Sequence, residues 1–137
     1  MIYLAAPWFN SHELDTYKKV LNKLRSNGET VWAPMECVID KENILPNDEW
    51  AKKVFDEDIK ALDTCDKLVV LNFGMYSDTG TAWETGYAFA KGKPILMLVD
   101  DEYEATYSLM MLNGCTEVNN IVNFLEDTNN ILCIEQK

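Results

Sequence analysis

Two acidic residues stand where the surrounding pattern is apolar. When 48–63 is drawn as a helix at about 100° per residue, its apolar side chains gather on one side and Asp58 falls near the middle of them. In the stretch 79–90, Glu84 is the only charged residue. A carboxylate on a buried face is costly unless it is paired or used in chemistry. Asp58 and Glu84 are therefore the first candidates for acid, base or nucleophile.

Each candidate acid also has a purely structural interpretation. Asp58 could accept hydrogen bonds from a neighbouring loop. The spacing of Thr81 and Glu84 fits a capping box, in which Glu84 would bond the Thr81 amide. Asp78, at the end of the preceding loop, could be the helix cap. On the chemical side, the start of a helix favours negative charge, which suits an ionised nucleophile at Glu84.

Aromatic and small residues accompany these acids. Tyr3 lies in the first predicted strand, and Trp8 and Phe9 follow it, where aromatic rings can stack on a planar base or belong to the core. Gly80 and Gly86 allow a ligand or a neighbouring helix to come close.

Several kinds of chemistry are excluded. His12 is the only histidine, so a multi-histidine metal site is ruled out and Ser-His catalysis is disfavoured. The chain has no dinucleotide-binding or Walker glycine motif and no cluster of basic residues. The expected ligand is planar, neutral and free of phosphate, with no metal and no cofactor.

Strands and helices alternate along the chain. The hydrophobic pattern predicts strands at 2–6, 30–33, 67–72, 95–99 and near 131–134, and helices from Asn10 or Ser11 to about 26, 48–63, 81–91 and 108–112. This order predicts an α/β fold: one domain over 1–137, with a doubly wound, mainly parallel five-stranded sheet of the flavodoxin-like or Rossmann-like kind. The helix at 81–91 is expected to be buried all round. Ligands of such sheets bind beyond the carboxyl ends of the strands, here at 5–10, 73–80 and 100–109.

Composition and charge narrow the class of partner. The chain has 137 residues, 47% of them hydrophobic, and a net charge of −11. That charge disfavours nucleic-acid polymers and anionic membranes. No apolar run reaches 18 residues and the start has no basic region, so we expect a cytoplasmic protein that does not span a membrane. Buried free thiols are expected at the four cysteines, which are Cys37, Cys65, Cys115 and Cys133.

The segment from Asp78 to Ala88, DTGTAWETGYA, followed by Gly92-Lys93-Pro94, resembles the nucleophile helix of the nucleoside 2-deoxyribosyltransferases. The opening IYLAAPWF is similar to that family's first strand and base-binding turn. Phe55-Asp56-Glu57-Asp58-Ile59 resembles its segment with a base-contacting aspartate, and Ser108-Leu109-Met110 resembles a segment whose methionine lines the site. The resemblance covers nearly the whole chain.

The resemblance implies a function and a set of roles. It implies transfer of 2-deoxyribose between purine or pyrimidine bases, with 2′-deoxynucleosides and free nucleobases as partners and no metal or organic cofactor. Glu84 attacks C1′, Tyr3 orients Glu84, and Asp58 and Asp78 bind the base and handle its proton. The family also implies a homo-oligomer, a dimer or a hexamer, in which a neighbouring subunit completes each site. Further substrate contacts are implied for Trp8, Phe9, Gly80, Ser108, Met110 and the C-terminal carboxylate of Lys137.

One departure from the family leaves a second activity open. Ser108 stands where the family usually has an asparagine that binds the 5′-hydroxyl, and this resembles the related 2′-deoxynucleoside 5′-monophosphate N-glycosidases, which hold the phosphate with serines. Asp78 and Pro7-Trp8-Phe9 differ from those hydrolases, and an aspartate repels a phosphate. A non-catalytic nucleoside-binding domain and a flavin-binding protein also stay open, although Glu84 in an apolar helix favours an enzyme.

Overall fold

Five parallel strands form one sheet in the computed structural model, which describes residues 1–37, 47–74, 78–100 and 107–128. The strands lie side by side in the order β2-β1-β3-β4-β5, and every neighbouring pair is parallel. Their bounds are Ile2–Ala5 for β1, Val31–Trp32 for β2, Lys67–Asn72 for β3, Ile95–Val99 for β4 and Glu117–Asn120 for β5. The predicted doubly wound α/β sheet is confirmed.

Five α-helices within these described ranges cover the two faces of the sheet. They are α1 (Ser11–Ser26), α2 (Asn47–Thr64), α3 (Thr79–Ala90), α4 (Leu109–Gly114) and α5 (Ile121–Glu126). Buried side chains of α1 and α5 share one hydrophobic cluster with the sheet, and those of α2, α3 and α4 share the other. Asn10 caps α1, and its side chain accepts the Glu13 amide at 2.8 Å.

The first strand divides its side chains between the two clusters. Ile2 and Leu4 belong to the cluster beneath α1, whereas Tyr3 and Ala5 belong to the one beneath α2 and α3. This is the two-residue alternation of a β-strand. All four residues are buried because helices cover both faces of the sheet. As a result, the hydroxyl of Tyr3 is directed toward the helices that carry the candidate acids.

The C-terminal part of the sheet differs from the prediction. The strand predicted near 131–134 lies outside the described residues. The fifth strand of the sheet is instead Glu117–Asn120, and it is followed by α5, which the sequence pattern did not predict. Only one of the four β5 residues is apolar, because this edge strand pairs with β4 alone and is largely open to solvent. It therefore lacks the hydrophobic run that marks a central strand.

The expectation that the helix at 81–91 is buried all round is wrong for a single chain. Within α3, Trp83 is 51% exposed and Phe89 is 61% exposed. The helix also begins earlier than predicted, because Asp78 rather than Thr81 is its cap. In α2, Phe55 is similarly exposed, and only Ala61 and Leu62 of the predicted apolar stripe are fully buried.

Two smaller expectations concern thiols and membranes. Cys37, Cys65 and Cys115 are free cysteines, but only Cys65 of these three is buried, and Cys133 lies outside the described residues. No helix found in the described part of the chain is both long and apolar enough to cross a bilayer.

The turn after α3 ties that helix to α2. Gly92 has a φ of +72°, and the amides of Gly92 and Lys93 bond back to the last turn of α3, which is the usual glycine-terminated helix end. The ammonium of Lys93 then donates to two carbonyl oxygens at the end of α2, that of Asp63 at 2.9 Å and that of Cys65 at 2.6 Å. A cation at the C-terminus of a helix is favoured by the helix dipole. Lys93 thus fixes the distance between the two helices that carry the candidate acids.

Replacing Lys93 by methionine should lower the free energy of unfolding by about 1–2 kcal/mol, because two charge-assisted hydrogen bonds are lost. Urea denaturation at neutral pH measures this change. The matched control is Lys19→Met, which removes an exposed pair with Asp15 in α1 and should cost no more than about 0.5 kcal/mol. Equal effects of the two substitutions would contradict the role given to Lys93.

Candidate active site

Glu84 is hydrogen-bonded to a residue of the sheet. Its Oε2 accepts a hydrogen bond from the hydroxyl of Tyr3, which is fully buried in β1. The capping-box interpretation of Glu84 is wrong, because the Thr81 amide donates to Asp78 instead. Glu84 lies in the second turn of α3 and points toward the sheet. A glutamate held in this way is a fixed carboxylate directed into the fold.

Burial and neighbouring charges make this carboxyl a weaker acid than usual. Burial raises the pKa of Glu84 from 4.5 to about 7, the bond from Tyr3 opposes that rise, and the charges of Asp58 and Asp78 add to it. Burial, followed by the charge of Glu84, raises the pKa of the Tyr3 hydroxyl well above its ordinary value. Tyr3 therefore remains a hydrogen-bond donor at every physiological pH, and Glu84 changes its charge near neutrality.

Asp58 lies on the face of α2 that the helical pattern predicted to be buried, and in the structure it is half-buried. Its Oδ1 accepts a hydrogen bond from the indole Nε1 of Trp32, at the end of β2, at 3.2 Å. Burial raises the pKa of Asp58, the bond from Trp32 opposes this, and the charge of Glu57 adds to it. Sequence analysis did not single out Trp32. The signal was available, because Trp32 is the last residue of a strand and so lies at the edge where ligands bind.

Asp78 serves as the N-cap of α3. Its Oδ2 accepts both the backbone amide of Thr81 at 2.8 Å and the hydroxyl of Thr81 at 3.0 Å. Gly80 leaves room for this carboxylate, since a Cβ at Gly80 would lie 3.1 Å from the same oxygen. A side chain at Gly80 would press on the capping carboxylate, whereas Gly86 faces open space.

The three acids share one arrangement. Glu84, Asp58 and Asp78 are each held through a single oxygen, by Tyr3, Trp32 and Thr81 respectively. Among the described residues, the second oxygen of each carboxylate has no hydrogen-bond donor. The described parts of the chain contain no group of three or more histidine, cysteine or acidic side chains that could hold a metal ion. The arrangement suits proton transfer and nucleophilic attack by fixed carboxylates.

Trp8 and Phe9 form an aromatic surface after β1. The two rings are stacked on each other, with centroids 6.0 Å apart, and Trp8 also meets the ring of Tyr17 edge-on. Trp8 is 37% exposed and Phe9 is 75% exposed, so they are not core residues. The two rings do not enclose a slot between them.

Ser108 and Met110 lie away from Glu84 within one chain. They line a cavity of about 480 Å³ between α3 and α4, to which α3 contributes Ala82, Thr85, Gly86 and Phe89. At about 100° per residue, Ala82, Gly86 and Phe89 fall roughly opposite Glu84 on that helix. Ser108 caps α4, and its Oγ accepts the Met111 amide at 3.4 Å. Lys137 lies outside the described residues.

The sequence is similar to a known protein family and to two named enzymes. Residues 2–132 match the family described as nucleoside 2-deoxyribosyltransferase. The nucleoside deoxyribosyltransferase of Lactobacillus leichmannii is 26% identical over 111 residues, which cover 74% of this chain and 71% of that protein. The one from Lactobacillus johnsonii is 27% identical over 116 residues, which cover 77% of this chain and 78% of that protein.

Solved structures of other proteins are similar to this chain in fold. The 2-deoxyribosyltransferase of Bacillus psychrosaccharolyticus is 28% identical, with a TM-score of 0.80 over 99% of this chain and 98% of that one. A CMP N-glycosidase from Clostridium botulinum shares the fold, with a TM-score of 0.60 at 21% identity over 91% of this chain and 93% of that one. Because the family match spans nearly the whole sequence, this chain belongs to the nucleoside 2-deoxyribosyltransferase family of enzymes.

Proposed function

We propose that this protein transfers 2-deoxyribose between purine or pyrimidine bases through a covalent ester on Glu84. The observation that carries the proposal is the state of Glu84. It is a largely buried carboxylate with one oxygen fixed by Tyr3 and a pKa of about 7. Above that pH the other oxygen is an ionised nucleophile in an otherwise uncharged helix.

The chemistry takes place in two balanced steps. In the first, Glu84 attacks C1′ of a 2′-deoxynucleoside, the N-glycosidic bond breaks, and its electron pair leaves with the base. Asp78 or Asp58 gives that base a proton. In the second, a nitrogen of another base attacks C1′, the ester bond breaks, and the Glu84 carboxylate is restored. The aspartate takes back a proton, so no cofactor is needed. The configuration at C1′ is retained and the kinetics are ping-pong.

The charge of the site supports a nucleoside rather than a nucleotide as substrate. Asp58 and Asp78 are close enough to Glu84 to raise its pKa by repulsion. A 5′-phosphate near these acids would be repelled in the same way. These facts favour free 2′-deoxynucleosides, and the 5′-monophosphate becomes one arm of the test.

We further propose a homo-oligomer in which α3 and α4 pack against a second copy. The outward side of these helices is apolar and exposed in one chain: Phe89 is 61%, Leu109 is 75% and Met110 is 85% exposed. Exposed apolar patches of this kind mark association surfaces. Because Met110 lies across α3 from Glu84 in its own chain, it can line a catalytic site most readily in the neighbouring copy.

The proposed transfer is tested by incubating the purified protein with thymidine and adenine and following the products by chromatography. Parallel samples contain thymidine alone or a deoxynucleoside 5′-monophosphate alone. We expect deoxyadenosine to form, and replacement of Glu84 by glutamine to reduce its rate by more than roughly 1,000-fold. The exposed Glu126→Gln should leave the rate unchanged. Base released only from the monophosphate would assign the protein to the hydrolases instead.

Oligomerisation is tested by sedimentation of the parent chain and of Leu109→Glu. We expect the parent to be a dimer or a hexamer, and the added charge in the apolar α4 surface to dissociate it and reduce turnover. Val122→Glu is the matched control, since it also places an acid in the first turn of a short helix, on the opposite face of the sheet. A parent that sediments as a monomer would contradict the proposal.

The raised pKa of Glu84 also predicts that ionisation of this residue lowers the free energy of unfolding as pH rises. The folded chain holds this proton more tightly than the unfolded chain, so the contribution of Glu84 to stability is lost as pH rises from about 4.5 through about 7. Glu84→Gln should therefore unfold like the parent near pH 4.5 and be more stable above pH 8, by an amount on the order of 2 kcal/mol. Thermal unfolding at the two pH values measures this. A variant less stable than the parent at pH 8 would contradict the assigned shift.

A further inference from the structure

The only histidine joins the ends of adjacent strands. His12 lies in the first turn of α1, and its Nε2 is 2.7 Å from Oδ2 of Asp100, the residue that follows β4. The His12 ring also meets the ring of Phe73, which follows β3, edge-on at 5.7 Å. Since α1 follows β1, this one side chain connects the carboxyl ends of three neighbouring strands. That edge is where ligands of such sheets bind.

Asp100 is itself firmly held. It is buried, its amide donates to the carbonyl oxygen of Asn72 at 3.1 Å, and its own carbonyl oxygen accepts the hydroxyl of Tyr107 at 2.6 Å. The side-chain oxygen of Asn72 in turn accepts the amide of Gly74 at 3.1 Å. Asp100 therefore offers His12 an anchor that is fixed to β3, to β4 and to the start of the segment leading into α4.

His12 is close in sequence to Trp8 and Phe9, the two residues of the aromatic surface. Trp8 and Phe9 stand four and three residues before it, and the amide of Phe9 donates to the side chain of Glu13, next to His12. The turn after β1 and the first turn of α1 are thus hydrogen-bonded into one unit. A contact that holds His12 in place therefore also restrains the turn that carries Trp8 and Phe9.

We propose that His12 and Asp100 form a positioning pair that keeps the turn bearing Trp8 and Phe9 in place and so favours capture of the sugar by a base over capture by water. This proposal rests on the transfer reaction proposed above. The ester on Glu84 has two fates, because either a base nitrogen or a water oxygen can attack C1′. In both cases the bond to Glu84 breaks, its carboxylate is restored and the attacking group gives up a proton to Asp78 or Asp58, but attack by water yields free 2-deoxyribose. A loosened aromatic surface binds the acceptor base less well and admits more water.

The test compares three variants by the fraction of cleaved thymidine that ends as free 2-deoxyribose at a fixed adenine concentration. His12→Leu removes the hydrogen bond and should raise the ratio of hydrolysis to transfer by about ten-fold, which is the effect of one charge-assisted hydrogen bond. His12→Gln can still donate to Asp100 and should restore most of the parent ratio. Lys19→Leu, an exposed change on the same helix, is the control and should leave the ratio unchanged.

A second measurement separates positioning from a general loss of structure. In His12→Leu, the Michaelis constant for adenine should rise while the rate of thymidine cleavage stays within about two-fold, and the amides of Phe9 and Gly74 should exchange with deuterium faster than in the parent. An unchanged ratio of hydrolysis to transfer, in a parent that does transfer, would overturn the positioning role alone. A parent that makes no deoxyadenosine would overturn the proposed function and this role with it.

Discussion

The contact between Tyr3 and Glu84 is the interaction on which the rest of the site depends. Burying a carboxylate costs free energy, and this chain offsets part of the cost with one hydrogen bond from Tyr3 in β1. That bond lowers the pKa of Glu84, whereas burial and the nearby aspartates raise it, and the balance lies at about 7. The fold thus keeps a carboxylate that is easily protonated in the position where a nucleophile would act.

The sheet and its flanking helices serve this contact. β1 lies between β2 and β3, and Tyr3 is fully buried with its hydroxyl directed to Glu84 of α3. Trp32 at the end of β2 holds Asp58, and the cap of α3 holds Asp78, so each acid is fixed by a different element. Lys93 joins the ends of α2 and α3. Three like charges kept close together destabilise the fold, and these separate anchors offset that repulsion.

Several large apolar residues of α3 and α4 are exposed rather than packed in the core of the chain. The sequence of α3 carries no charge besides Glu84, yet a single chain leaves Trp83 and Phe89 of this helix more than half exposed. The hydrophobic pattern predicts that an apolar residue will be buried, but it does not say whether the same chain or a second copy buries it. Phe89 and Met110 stay largely exposed within the described part of one chain, and this exposure is the physical reason for proposing that a second copy covers them.

The sequence by itself determined the fold class, the first four strands and the places of Glu84 and Asp58, because periodic apolar residues and a charge within them are local signals. It could not determine β5, whose four residues carry no hydrophobic run and are held in the sheet by β4 alone. Nor could it choose between a cap and a nucleophile for Glu84. Only the tertiary structure decided that Glu84 is not a cap, by placing Tyr3, 81 residues away, against Glu84 and by giving the cap of α3 to Asp78. Contacts between distant segments depend on strand order and register, which no local pattern encodes.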